Sequence, residues 1–168
     1  GLSPADAATT QQMAERDPAI NATLFEAGHW RRNTGVGLFI SRVSATLRDP
    51  VQRFFPEPEP DKPERLQLLV VDVSTNQGPL RLMVSHGPPD SSARIKRAHY
   101  QRVECALRHI IQLHGRIPGV WMADHNMVMD ASRDEATSKY SPDGALHRAL
   151  REAVCEVEEL LEVQDAFR

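Results

Sequence analysis

Apolar residues along the chain gather in four short runs and two longer periodic stripes. Gly35-Val36-Gly37-Leu38-Phe39-Ile40-Ser41 is short, β-rich and bounded by glycines, which predicts a buried strand. Residues 66–73 and 80–86 predict two more strands. Between them Ser74-Thr75-Asn76-Gln77-Gly78-Pro79 has the composition of a slightly long hairpin loop. Residues 118–123 predict a fourth strand, short and fully buried. Tyr100, Val103, Leu107, Ile110 and Ile111 recur at three- and four-residue spacing, predicting a helix over 93–113. Ser91 or Ser92 can cap it, and Gly115 can end it. Leu146, Leu150, Val154, Val157 and Leu161 predict a last helix over 145–163. Residues 1–28 have weak periodicity broken by Pro4 and Pro18 and read as a short helix and coil. Residues 49–65 hold five prolines among acidic residues and read as an extended surface loop. The order of elements predicts an α+β chain of mixed α/β layers. The four strands are expected in one sheet, with both helices against one of its faces.

Composition narrows the class. The chain has 168 residues, 40% of them hydrophobic, enough for one domain with a real core. No apolar run approaches the roughly 18–20 residues of a membrane span, and no signal peptide is read, which favours an intracellular protein, nuclear or cytoplasmic. With 20 basic and 23 acidic side chains the net charge is −3, so nucleic acid is not bound by bulk charge alone. A phosphodiester would have to be handled at a local site. Cys105 and Cys155 form no CxxC pair and imply neither a disulfide framework nor a thiolate zinc site.

Candidate chemistry concentrates in Met122-Ala123-Asp124-His125-Asn126-Met127-Val128. A carboxylate and a carboxamide two residues apart leave the end of a hydrophobic strand, where an extended chain puts both on the same side. Asp can orient and deprotonate water, and Asn can donate to a phosphate oxygen without adding negative charge. Asp and Asn are also favoured turn residues, so an ordinary turn is the competing account.

Four segments in order resemble the endonuclease/exonuclease/phosphatase superfamily, the fold of pancreatic deoxyribonuclease, and within it the endonuclease domains of non-LTR retrotransposons. They are residues 35–42, ending in Ser41-Arg42; residues 84–90 followed by Arg97-Ala98-His99-Tyr100; residues 123–128 with Asp134 downstream; and Asp165-Ala166-Phe167-Arg168. The resemblance covers residues 30–168, leaving 1–29 as a polar, helical N-terminal extension. It implies a DNase-like β-sandwich flanked by helices, here incomplete. It further implies a metal-dependent phosphodiester hydrolase of the retroelement type associated with a reverse transcriptase, using Mg²⁺ or Mn²⁺ and acting on DNA. On that resemblance Asp124 orients or deprotonates the attacking water. Asn126 holds phosphate oxygens, His86 takes a phosphate-contacting Tyr position, and Asp134 supports the loop.

The sequence also departs from the family pattern. The metal-binding Glu belongs to a Gln-Glu strand upstream of the Gly-Val strand. Glu26 is the nearest candidate, in a Phe-Glu-Ala-Gly setting that does not match, so the metal ligands stay unassigned. No C-terminal Ser-Asp-His motif occurs before Arg168, and Ala123, His125 and Pro89 replace family residues. Two alternatives therefore stand: a phosphatase or phosphodiesterase of the same fold acting on a lipid or sugar phosphate, and a catalytically inactive remnant. His99, His109 and His114 read as a solvated helix face, as do the basic residues between Arg94 and Arg108. Asp130 reads as a solvated loop carboxylate, and Trp30 and Trp121 as core.

Overall fold

The computed structural model describes residues 4–16, 22–27, 36–41, 46–54, 66–88, 92–126 and 145–162. In chain order the elements are α1 (Pro4–Arg16), β1 (Ala22–Ala27), β2 (Val36–Ser41), β3 (Arg48–Phe54), β4 (Leu68–Thr75), β5 (Gly78–His86), α2 (Ala93–His114), β6 (Gly119–Asp124) and α3 (Ala145–Leu161). Four strands form one sheet in the order β3-β4-β5-β6, and β1 pairs with β2 in a second, two-stranded sheet. β3–β4 and β4–β5 are antiparallel, and β5–β6 is parallel.

Because side chains alternate along a strand, the apolar run in β4 serves two cores. Leu68 and Val70 join Met83, Val103, Leu107, Ile110 and Val157 under the helices. Leu69, Val71 and Val73 meet Val36, Ile40 and Leu82 on the other side. The result is three layers: the β1–β2 pair, the four-stranded sheet, and α2 with α3. This is the mixed α/β class expected, with a central sheet flanked by helices. α2 starts where the Ser92 side chain accepts from the Ile95 N–H at 3.4 Å. It ends at Gly115, whose φ of 77° suits glycine and whose N–H reaches Ile111 O at 2.9 Å.

Several expectations are corrected. Residues 22–27 are not coil but a strand, paired antiparallel with β2 so that Glu26 stands opposite Gly37. The Gly-Val strand accordingly leaves the main sheet for the two-stranded one. Its place in the four-stranded sheet is taken by β3, inside a segment read as a proline loop. Prolines permit it because Asp49 and Pro50 fall between the pairs Arg48↔Ser74 and Val51↔Asp72, so the missing N–H sits in a bulge. The β4–β5 loop is only two residues, Asn76 and Gln77, since Thr75 already pairs with Gly78. Thr75 Oγ1 donates to Gly78 O at 2.7 Å and accepts from Gln77 N at 3.1 Å. β6 is an end strand among the described residues and is not fully buried: Val120 is 46% and Met122 40% exposed. His99 is 7% exposed, not on a solvated face.

The end of the sheet away from the β5 and β6 C-termini is fastened by charge. Arg81, 2% exposed, donates through Nε to Asp72 Oδ1 at 2.7 Å and through Nη2 to Oδ2 at 3.0 Å. Its Nη1 reaches Gly115 O at 3.2 Å, tying the end of α2 to β5. Arg53 adds a bond to Asp72 Oδ2 at 2.9 Å. Burial by itself raises the Asp72 pKa, but the hydrogen bonds and charges of Arg81 and Arg53 outweigh it and hold the carboxyl below its ordinary 3.8. Removing the carboxylate strands a buried guanidinium. Asp72→Ala is therefore expected to cost about 3–5 kcal/mol in urea unfolding, and the more exposed Arg53→Ala under about 1 kcal/mol. Because the folded pKa is depressed, the stabilisation is complete above pH 3.8 and is lost only as pH falls below it. A urea midpoint that is unmoved by Asp72→Ala would show the pair to be dispensable.

Candidate active site

The parallel β5–β6 pairing sets His86 directly opposite Asp124 in register. Both strands end there, so two polar turns leave one rim of the sheet. Gly87 N donates to Asp124 O at 2.7 Å, extending the ladder by one bond. Beyond β6 the chain makes a tight turn in which Asp124 Oδ1 accepts from the Asn126 N–H at 3.0 Å. Asn126 has φ 49°, a left-handed conformation that Asn tolerates better than most residues. The D-x-N motif is thus a turn, and the turn brings its side chains to His86.

The hydrogen bonds assign the imidazole tautomer. His86 Nδ1 lies 2.6 Å from Gln67 Oε1, an acceptor, so Nδ1 carries the proton. Nε2 then has a lone pair, and Asn126 Nδ2 donates to it at 3.1 Å. The same Nδ2 donates to Gly87 O at 2.8 Å. That second bond fixes the amide orientation, because a flipped amide would set oxygen against oxygen. Both Nδ2 hydrogens are thereby engaged, so holding a phosphate through Asn126 requires exchanging one of these bonds. Burial lowers the His86 pKa below 6.5, and the Asp124 charge only partly offsets it. Asp124 Oδ2 is 3.9 Å from His86 Nε2, and its side chain is 67% exposed against 21% for His86. The pair is an exposed carboxylate beside a neutral imidazole.

α2 buttresses the turn. Lys96 Nζ donates to the Asn126 carbonyl oxygen. Tyr100, fully buried, shares a 2.9 Å hydrogen bond with His125 Nδ1. Burial first, and then the Asp124 charge, push the Tyr100 hydroxyl up, so it stays protonated and donates. His125 also stands edge-on to Trp121 at 5.3 Å. The Trp121 Nε1 proton goes to Ser85 Oγ at 2.9 Å. Next to Tyr100, His99 is held neutral with a pKa of about 4, chiefly by burial and then by the Arg102 charge. Its Nε2 is buried without a partner among the described residues.

His86, Asp124 and Asn126 are therefore brought together. Asp134 and Asp130 lie outside the described residues, as do Trp30 and Asp165–Arg168. Sequence reasoning missed Gln67, Gly87 and Lys96; of these, only Gly87 had a local signal, as a glycine straight after a strand. Among the described residues no three His, Cys, Asp or Glu side chains gather as a metal cage.

No family model matches the chain, and no curated protein matches it. Solved structures do. A humanised D. rerio TDP2 carrying 14 mutations matches with a TM-score of 0.49 at 20% identity, over 77% of this chain and 48% of that one. Truncated Caenorhabditis elegans TDP2 matches with a TM-score of 0.49 at 16% identity, over 85% and 51%. D. rerio TDP2 in complex with a single-strand DNA product matches with a TM-score of 0.46 at 21% identity, over 77% and 46%. The chain spans about half the length of these structures. No helix among the described residues is long and apolar enough to cross a membrane.

Two measurements check the geometry. The ¹⁵N shifts of His86 at neutral pH should show Nδ1 protonated and Nε2 pyridine-like; the opposite tautomer would remove the Asn126 bond. A Cβ on Gly87 would stand 2.5 Å from His125 O and 2.9 Å from Tyr100 OH. Gly87→Ala should cost about 1–3 kcal/mol by overpacking and shift the His86 and His125 resonances together. Unchanged spectra would mean that the turn is not packed against Gly87.

Proposed function

We propose that the chain is part of a metal-dependent phosphodiester hydrolase of DNase-like type, acting on DNA. The observation that carries the reading is the meeting of Asp124, Asn126 and neutral His86 on one rim, 38 to 40 positions apart in sequence. Asp124 Oδ1 is occupied by the turn, which leaves Oδ2, on an exposed side chain, as the oxygen that takes a proton from water. Asn126 donates to a phosphate oxygen by giving up one of its two present bonds. His86, kept neutral, adds no charge that would bind Asp124 Oδ2 and spoil it as a base. Gln67 and Lys96 hold these groups in place and do no chemistry.

The donor set suits Mg²⁺ or Mn²⁺ held by few protein ligands, since Mg²⁺ keeps several waters and asks for one or two carboxylates. Asp124 Oδ2 is the oxygen assigned to the water, and the residues that would hold the ion stay unassigned among the described residues. When bound, the ion neutralises charge on the phosphate and the leaving oxygen. The finer reading, an endonuclease domain of retroelement type with Asp134 supporting the loop, draws its support from the ordered motifs at residues 35–42, 84–100 and 123–128. The Asp124 side chain is exposed and its Oδ2 is left open by the turn, and this favours a working site over an inactive remnant.

Plasmid nicking by the purified chain with Mg²⁺ tests the reading. Any activity, even trace, should vanish with chelator and fall about 10²-fold or more in Asp124→Ala, while Asn126→Ala should lose activity without unfolding. Nicking that is indifferent to both substitutions would reject the site.

A further inference from the structure

α2 is out of electrostatic balance with the rest of the protein. It carries Arg94, Lys96, Arg97, Arg102 and Arg108 against Glu104 alone, in a chain of net charge −3. α3, packed beside it, is the reverse, with four glutamates against Arg148 and Arg151. Glu104 is taken up by Arg108, four residues on, at 2.6 and 2.8 Å. The excess positive charge therefore falls on the N-terminal half of α2. The first turn there holds no acidic residue, although a helix dipole favours anions and disfavours cations at that end. This same half is the part fastened to the candidate site, through Lys96 to Asn126 and Tyr100 to His125. Arg94 and Arg97, three residues apart, are exposed on its outer side.

We propose that the outer face of this half-helix, carried by Arg94 and Arg97, is a contact surface for a nucleic-acid strand running to the site. The proposal rests on the phosphodiesterase reading and deepens it by naming the path of the substrate. Two exposed guanidiniums one turn apart along a helix suit successive phosphates of a strand better than one small phosphate, which needs donors converging on a point.

The test is fluorescence anisotropy of a labelled single-stranded oligonucleotide with the full chain in chelator, from about 50 to 200 mM salt. Arg94→Gln with Arg97→Gln should weaken binding irrespective of base sequence. It should also lower the slope of log affinity on log salt by about 1.4, roughly 0.7 for each lost phosphate contact. Gln keeps helix propensity at these exposed positions. Arg148→Gln on α3 should change nothing. An unchanged slope in the double variant, an equal loss in Arg148→Gln, or equal binding of a polyglutamate of matched charge would each overturn the surface. The nicking assay separates the two readings. A lowered slope with nicking indifferent to Asp124→Ala and Asn126→Ala keeps the surface and rejects the site. Nicking sensitive to Asp124→Ala with an unchanged slope does the opposite.

Discussion

Everything at the candidate site depends on β5 and β6 being parallel neighbours in the register His86↔Asp124. Parallel strands cannot be joined by a tight turn; the chain must cross over the sheet and return to the same starting end. α2, twenty-two residues long, is that crossover. Its inward positions Val103, Leu107 and Ile110 bury against Leu68, Val70 and Met83, so hydrophobic packing and register are set by one element. If β6 slipped by one residue, every side chain would change face, and Asp124 would no longer stand opposite His86.

The same helix then finishes what the strands begin. A polar turn at the end of an edge strand has little of its own to hold it. Here Lys96 takes the turn's last carbonyl, Tyr100 takes the His125 ring, and Gly87 lets the two backbones approach without a Cβ between them. Local chemistry supplies the rest: Asp124 closes the turn and Asn126 accepts its left-handed φ. The arrangement is satisfied without a ligand, and its cost is that Asn126 must exchange a hydrogen bond before it can hold anything else.

Charge is separated along the sheet. At the end away from the site, Asp72 is neutralised by Arg81 and Arg53, and the cluster also anchors the C-terminus of α2. At the site end, the buried polar groups are neutral: His86 is paired with Gln67, and His99 and Tyr100 stay uncharged through burial. Asp124, exposed, stands instead beside the neutral His86 ring, 3.9 Å from its Nε2. Positive charge arrives from outside, on the N-terminal half of α2.

The sequence by itself determined the elements whose signal is local. The stripe Tyr100-Val103-Leu107-Ile110 and the stops Ser92 and Gly115 were legible as α2, and the apolar runs as β4, β5 and β6. Asp124 and Asn126 were legible as a polar pair at a strand end, but it is a tight turn with Asn126 at φ 49°, and not extended chain, that brings them together. Other features were decided by partners far away in sequence, and these only the tertiary structure settled. β3 looked like a proline loop, because proline is excluded from a regular ladder; a bulge opposite β4 accommodates Pro50. The Gly-Val run read as a member of the main sheet until its pairing with β1 placed it in the layer above. His99 shared a helix with arginines and looked solvated, yet it lies on the turn of α2 that faces the interior. Gln67 carries no motif at all, and it matters because β4 and β5 pair so that its amide reaches His86. Periodicity records which face of an element is apolar; which element covers that face is a pairing energy between distant segments, and no local window contains it.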